Sequence, residues 1–394
     1  MATPMKREVG YPRPYRRRPR SMLLAGPVQA VGIRGTEVVQ CVQDLANSVD
    51  LVAGKATVVR VYLDPTSVSR SGKVGGEIAW SRGSAAEAYL PAINAVTIDP
   101  AKPLSTTDQR GDVANSLNFR LPPAALGAGK LTLRLSRLFQ PGGADLPIGT
   151  PMPLEVTFKV APPLRIRVIG LRYNNGQHDV APAAIHFAYL KSFLQRAYPT
   201  ASLEWSQIVV AADFKAPLDD ATADLANAQI AALRSREVSS GVDPRTHYFG
   251  LVDDDGSRNF MRGKAFAIPG TAQPDVVASG PAGVPNGFAG DRDASYADWY
   301  GAHELGHTFG RYHPGFPPGA QDASDPHFPY NDGCISPPDD QFTGLDLGDA
   351  ALGLPMTALA GTHHHDVMTY ADNQWISPYT YKAIMQRLIE EDAL

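Results

Sequence analysis

Residues 303–313 read HELGHTFGRYH, and no other stretch narrows the structure of this chain as far. On a helix, His303 and His307 lie four apart, so both imidazoles leave the same face. Two imidazoles on one face can hold one zinc ion at about 2.0–2.1 Å each. Glu304 follows the first histidine and sits beside the ion, where a general base must stand to take a proton from water. Gly310 lacks a Cβ and can end the helix in a sharp turn. That turn lets His313 return as a third ligand. Three nitrogen ligands leave one coordination position open, which marks a catalytic zinc site rather than a closed structural one. The alternatives are a helix with surface histidines, or a fold that keeps the motif without the activity.

A second stretch belongs with the first. Asp366-Val367-Met368-Thr369-Tyr370 places a methionine 55 residues after His313. Together the two stretches resemble the metzincin metallopeptidases, which carry HExxHxxGxxH and, further along, a tight turn with a methionine beneath the metal. The resemblance implies that Met368 is this Met-turn residue, an apolar floor under three imidazoles. It also implies that Tyr370 stabilises the oxyanion, as a tyrosine at that place does in some branches of the family. Alone, a single methionine would read as core filler.

Length and composition set the bounds. A chain of 394 residues can hold two or three domains. Hydrophobic residues make up 43% and charged residues 19%, a globular balance. A net charge of −4 gives no argument for nucleic acid or an anionic membrane surface as partner, and neither is expected. No run of 18 apolar residues occurs, so no membrane-spanning helix is expected. Two cysteines, Cys41 and Cys334, lie far apart, which excludes a disulfide framework and favours free buried thiols.

Residues 1–33 are Arg- and Pro-rich and read as a disordered basic tail. Arg16-Arg17-Arg18 precede an apolar run broken by Gly26, Pro27, Gln29 and Gly32, a poor secretory signal with a twin-arginine alternative. Residues 34–161 read as an all-β sandwich of about seven short strands: 36–43, 49–63, 75–80, 88–98, 114–121, 130–138 and 154–160. Leu131-Thr132-Leu133-Arg134-Leu135 alternates strictly. The wording from Glu37 to Asp64 is similar to an Ig-like domain placed ahead of catalytic domains in exported bacterial proteins. Pro162-Pro163 marks the boundary.

Residues 162–394 read as α+β. Strands are expected over 165–171, 207–211, 247–252 and 264–268. Helices are expected over 182–197, with Ile185, Tyr189 and Phe193 inward, and over 220–236, with Leu225, Ala232 and Leu233 inward. Ser295 and Asp298 read as a capping pair for the helix of 303–313, with Trp299, Ala302, Leu305 and Phe309 on its buried side. Residues 269–294 and 314–362 read as long loops. Asp253-Asp254-Asp255-Gly256-Ser257 invites calcium, but its spacing does not fit an EF-hand and a solvated turn is the simpler reading. His363-His364-His365 read as exposed polar residues. Ser377-Pro378 opens a closing helix.

The metzincin resemblance implies a metzincin-like zincin domain over 162–394, with one catalytic zinc and a protein or peptide substrate. Within it, 263–268 is the edge strand that pairs with substrate, and Trp375 and Ile376 wall the substrate pocket. The expected reaction is endoproteolysis, with Glu304 as base and Tyr370 on the oxyanion, in a secreted monomer. Two other readings stand beside it. One is a catalytically silent, zinc-containing, adhesin-like binding protein. The other is hydrolysis of a non-peptide amide.

Overall fold

The computed structural model describes residues 30–68, 71–149, 152–214, 219–257, 260–285 and 294–394. Most of the Arg-rich tail, with its export reading, lies outside these residues. Residues 31–33 are not part of a tail: Val31 is buried and Gly32–Val39 is already a strand.

Two sheets face each other across the first core. Gly32–Val39 and Leu117–Arg120 flank Val58–Asp64 in one. In the other, Gly129–Phe139 lies between Gly72–Ser81 and Leu154–Lys159. Val59, Val61, Leu117 and Phe119 from the first sheet pack in one cluster with Ile78, Leu131, Leu133, Leu135 and Phe158 from the second. The period-two alternation of Gly129–Phe139 puts its leucines inward. Two expected strands are each broken in two. Residues 49–63 are interrupted at Gly54, whose φ of +82° an L side chain rarely adopts. Residues 88–98 divide into Ala88–Pro91 and Val96–Ile98.

The second sheet system carries the site. Its strands are β1 (Leu164–Asn174), β2 (Asp179–Val180), β3 (Leu203–Ala211), β4 (His247–Asp253), β5 (Lys264–Ala265) and β6 (Ala278–Ala282). Across the sheet they run β3-β1-β4-β6-β5, with β2 paired to the end of β1. β3, β1, β4 and β6 are parallel and β5 is antiparallel. Helices α1 (Ala184–Ala197), α2 (Asp220–Ser239), α3 (Ala297–Thr308) and α4 (Pro378–Asp392) complete it. α1 and α3 share a core with Ile166, Val168, Phe249 and Leu251, and α2 packs with Ile169, Leu171, Tyr248 and Val252. Gly301 lets α3 approach α1 closely, since a Cβ there would stand 2.6 Å from Leu190.

Several expectations are corrected. On α1, Ile185 is exposed, and Phe187 and Leu190 join Tyr189 and Phe193 inside. On α2, Leu225 and Ala232 face out, and the inward stripe is Ala223, Ala226 and Ile230. Small residues there let the helix lie close to the sheet. The expected loop 269–294 contains a fully buried strand, β6. Its sequence, ASGPA, has no β-branched residue and includes a proline, so propensity hides it. Crowding explains the composition: a Cβ on Gly280 would come within 3.1 Å of Phe249.

The expected loop 314–362 contributes Thr343–Asp346, which pairs antiparallel with Thr357–Leu359 on one side and Val42–Gln43 on the other. Cys41 and Val42 therefore sit in the same core as α3, and both cysteines are free and buried. No helix among the described residues is long and apolar enough to cross a membrane.

Candidate metal centre

The three histidines converge. α3 places His303 and His307 one turn apart on one face, both buried. The helix then ends. Gly310 takes φ +77° and its N–H donates to His307 O at 2.8 Å. A side chain at Gly310 would strike Pro269 O at 2.6 Å and Arg387 at 2.8 Å. Past this turn, His313 forms an isolated bridge with Ser324 and comes back to the helix.

Each imidazole is oriented through Nδ1. His303 donates to Val367 O at 2.8 Å, His307 to Arg311 O at 2.7 Å and His313 to Asp322 O at 2.6 Å. A carbonyl can only accept, so all three Nδ1 atoms carry the proton and all three Nε2 atoms present lone pairs. Those lone pairs face one another. Nε2 of His313 stands 3.2 Å from Nε2 of His303 and 3.0 Å from that of His307.

Three buried acceptors at this range repel unless a cation lies between them. Tetrahedral nitrogen ligands at about 2.0–2.1 Å from one ion would stand about 3.3–3.4 Å apart. The triad can therefore hold a metal ion. Among the described residues it is also the sole group of ligating atoms close enough to share one. Burial holds the His303 imidazole well below its usual pKa, and the neighbouring His307 and His313 add to that. His307 is lowered to about 4, again chiefly by burial. The neutral, metal-binding form is thus the form the fold favours.

The turn that contains Met368 is built by Asp366, for which the sequence suggested no role. Its buried carboxylate accepts from Met368 N at 2.9 Å and from Ser377 N at 3.0 Å. It joins the turn to the start of α4, whose N-cap Ser377 accepts from Thr380 N. Met368 is buried, and a Cβ on Gly306 would collide with its sulfur, so the glycine admits the thioether against α3. Val367 supplies the carbonyl that orients His303.

Glu304 is 5% exposed, and burial holds its carboxyl well above the usual carboxylate range. The backbone of Ala265 in β5 hydrogen-bonds to it and opposes that rise. Gly263, just before β5, has φ +103°, and a Cβ there would stand 2.6 Å from Glu304 Oε1. Gly263→Ala would strain the backbone and displace the carboxylate. Turnover of whatever substrate the site acts on is expected to fall by about 10²-fold, as for an ångström-scale misplacement. Metal content should stay at the wild-type level, which separates displacement from collapse.

Tyr370 is half exposed, with its ring centroid 4.8 Å from that of His313 and 5.6 Å from that of His303. Burial and then the Glu304 charge push its hydroxyl up to about 12, so it stays a donor. A cleft of about 410 Å³ opens over these groups, walled by Arg262, Trp299, Tyr300, Ala371 and Gln374.

Trp375 and Ile376 do not wall this cleft. Trp375 is 2% exposed, donates its indole N–H to Cys41 O at 2.8 Å and meets Phe193 edge-on, and Ile376 is fully buried. Trp375 instead lines a smaller space of about 180 Å³, which shares Trp299 and Gln374 with the cleft. The expected capping pair is also revised. The N-cap of α3 is Tyr296, Ser295 Oγ accepts from Ala297 N, and Asp298 accepts from its neighbour Trp299 N. Trp299 is only half buried.

The Asp253–Ser257 stretch is not a solvated turn throughout. Asp254 is buried and accepts from the Tyr296 hydroxyl and Gly256 N. His364 and His365 are half buried. His365 stacks on Phe316, and both donate to backbone carbonyls, of Ala360 and Asp372. The edge strand beside Glu304 is two residues, Lys264–Ala265, where six were expected.

No family model matches the sequence, and a search of characterised proteins returns no significant match. Among solved structures the chain is similar to metalloproteinase-II from Bacteroides fragilis, at 12% identity over 62% of this chain and 82% of that one, with a TM-score of 0.26.

Proposed function

We propose that this chain is a zinc-dependent endopeptidase of the metzincin type, with its N-terminal sheets forming an Ig-like sandwich ahead of the catalytic domain. One observation carries the reading: three Nε2 lone pairs, each aimed by an Nδ1–H bond to a carbonyl, meet beside a buried carboxylate. Neutral nitrogen donors in a nearly tetrahedral spacing suit zinc. His303, His307 and His313 would hold the ion. When bound, zinc supplies Lewis-acid polarisation of the scissile carbonyl and acidification of water.

The chain's own residues do the rest. Glu304, with its raised affinity for a proton, takes one from the attacking water and passes it to the leaving amine. Tyr370 donates to the oxygen on which charge develops. β5 lies at the sheet edge, where its main chain can pair with an extended peptide. Tyr370→Phe is expected to lower turnover by about 10–10³-fold, as for loss of one oxyanion donor, with little change in KM. Steady-state kinetics on any cleaved peptide checks this.

The test of the function itself is metal content by mass spectrometry, together with cleavage of a panel of denatured proteins with and without a chelator. About one zinc per chain and chelator-sensitive cleavage support the reading. Zinc without cleavage favours the silent, adhesin-like protein. Absence of zinc after growth with ample metal removes the proposal.

A further inference from the structure

We propose that β3 (Leu203–Ala211) is a homodimer interface, in which two copies of the chain pair this strand antiparallel and join their sheets. β3 is paired to a strand on one side only, and at its end Ala211 O also accepts from Gln229 Nε2 of α2 at 2.8 Å. It pairs with β1 from Leu164↔Leu203 to Arg172↔Ala211 without a register shift. Among the described residues no strand pairs with its other side. The outward N–H and C=O groups of a long straight edge are a template for another strand.

Soluble proteins blunt such edges with Lys, Pro, a bulge or shortness. At the far edge of this sheet β5 is two residues long and begins with Lys264, which leaves room for a short peptide but not for the edge of a second sheet. β3 has none of these features. In nine residues it holds one charge, Glu204, which is paired to Arg165 at 3.3 Å near the strand's start. Past the uncharged Ser206 and Gln207 at its middle it is apolar and open, with Ile208 43% and Val209 44% exposed. The Trp205 ring packs partly against the core that α1 and α3 share, and its indole N–H is satisfied within the strand by Gln207 Oε1 at 2.7 Å, so the ring's open part can be covered without stranding a polar group.

The strand's own pattern fits a second copy of itself. A two-fold axis through Gln207 sets Trp205 opposite Val209 of the second copy, twice, on the same face. Aromatic and β-branched residues are good cross-strand partners. The same axis sets each Glu204 opposite a Val210. The two carboxylates then lie about 20 Å apart, at six residues of about 3.3 Å each, and do not repel. A strand nearly without charge has little with which to select a foreign sequence, and it complements itself.

Sedimentation velocity on the full chain tests this, from low to high micromolar concentration. The wild type is expected to approach twice the 42.2 kDa of one chain as concentration rises. Ile208→Lys places a charge mid-edge at an exposed site and should give a monomer at every concentration, with an unchanged circular dichroism spectrum. Gln207→Cys supplies a second reading. Both natural cysteines are buried, so mild oxidation should cross-link this variant alone into a disulfide dimer. A wild type that stays monomeric throughout overturns the proposal and leaves the edge to a strand from another protein. So does a dimer that survives Ile208→Lys and fails to cross-link through residue 207.

Discussion

Glu304→Gln is expected to lower turnover by about 10²–10⁴-fold, the range lost with a general base, while zinc stays at the wild-type level. The amide keeps the shape of the carboxylate and cannot accept the proton. It fills the same buried place between α3 and β5, so the His303, His307 and His313 arrangement has no reason to move. Metal analysis and kinetics on one preparation separate the two roles. Equal turnover in the variant would remove Glu304 from proton transfer and leave it a packing residue. Loss of zinc along with activity would mean that the carboxylate supports the ligands instead.

The second large effect is on stability. Arg110 and Glu37 form a buried ion pair at 2.6 Å, with side chains 5% and 2% exposed. The guanidinium also donates to Asp340 O at 2.6 Å and to Gln43 O and Gln341 O at 3.0 Å. One side chain therefore ties the N-terminal sheets to the segment that precedes the Met368 turn. Arg110→Met leaves Glu37 buried without its cation and three carbonyls without a donor. The expected cost is about 3–5 kcal/mol, read as a lower urea midpoint at constant slope. Arg110→Met combined with Glu37→Gln should cost less than the sum of the single changes, because no lone charge is then buried. Additive costs would show that the ion pair is not the source.

The candidate site was legible where chemistry fixes residue spacing. His303, His307 and His313 are brought together as their offsets require, and the ring of Tyr370 lies beside that of His313. The Gly129–Phe139 strand was legible because a half-buried strand must alternate. β6 was not, because a strand hemmed in by Phe249 and Glu304 is selected for smallness rather than β propensity. Trp375 was misplaced because its position after the Met368 turn says nothing of its side chain's direction. The carbonyl that holds its indole, Cys41 O, lies more than 300 residues away in the chain. Asp366 was missed for a related reason: the residues it binds, Met368 and Ser377, are joined through a fold that local pattern does not encode.

Val42 and Gln43 pair with Gly344 and Thr343, partners about 300 residues downstream. On a ribosome adding about 5–20 residues per second, that separation is a wait of about 15–60 s. The early sheets can close during that time, but the strip that includes Cys41 and Val42 has no mate until the last quarter of the chain emerges. Birth order therefore runs against proximity in the finished molecule. The nascent chain must carry an unfinished apolar seam through most of its synthesis, and that interval is when a chaperone would have something to hold.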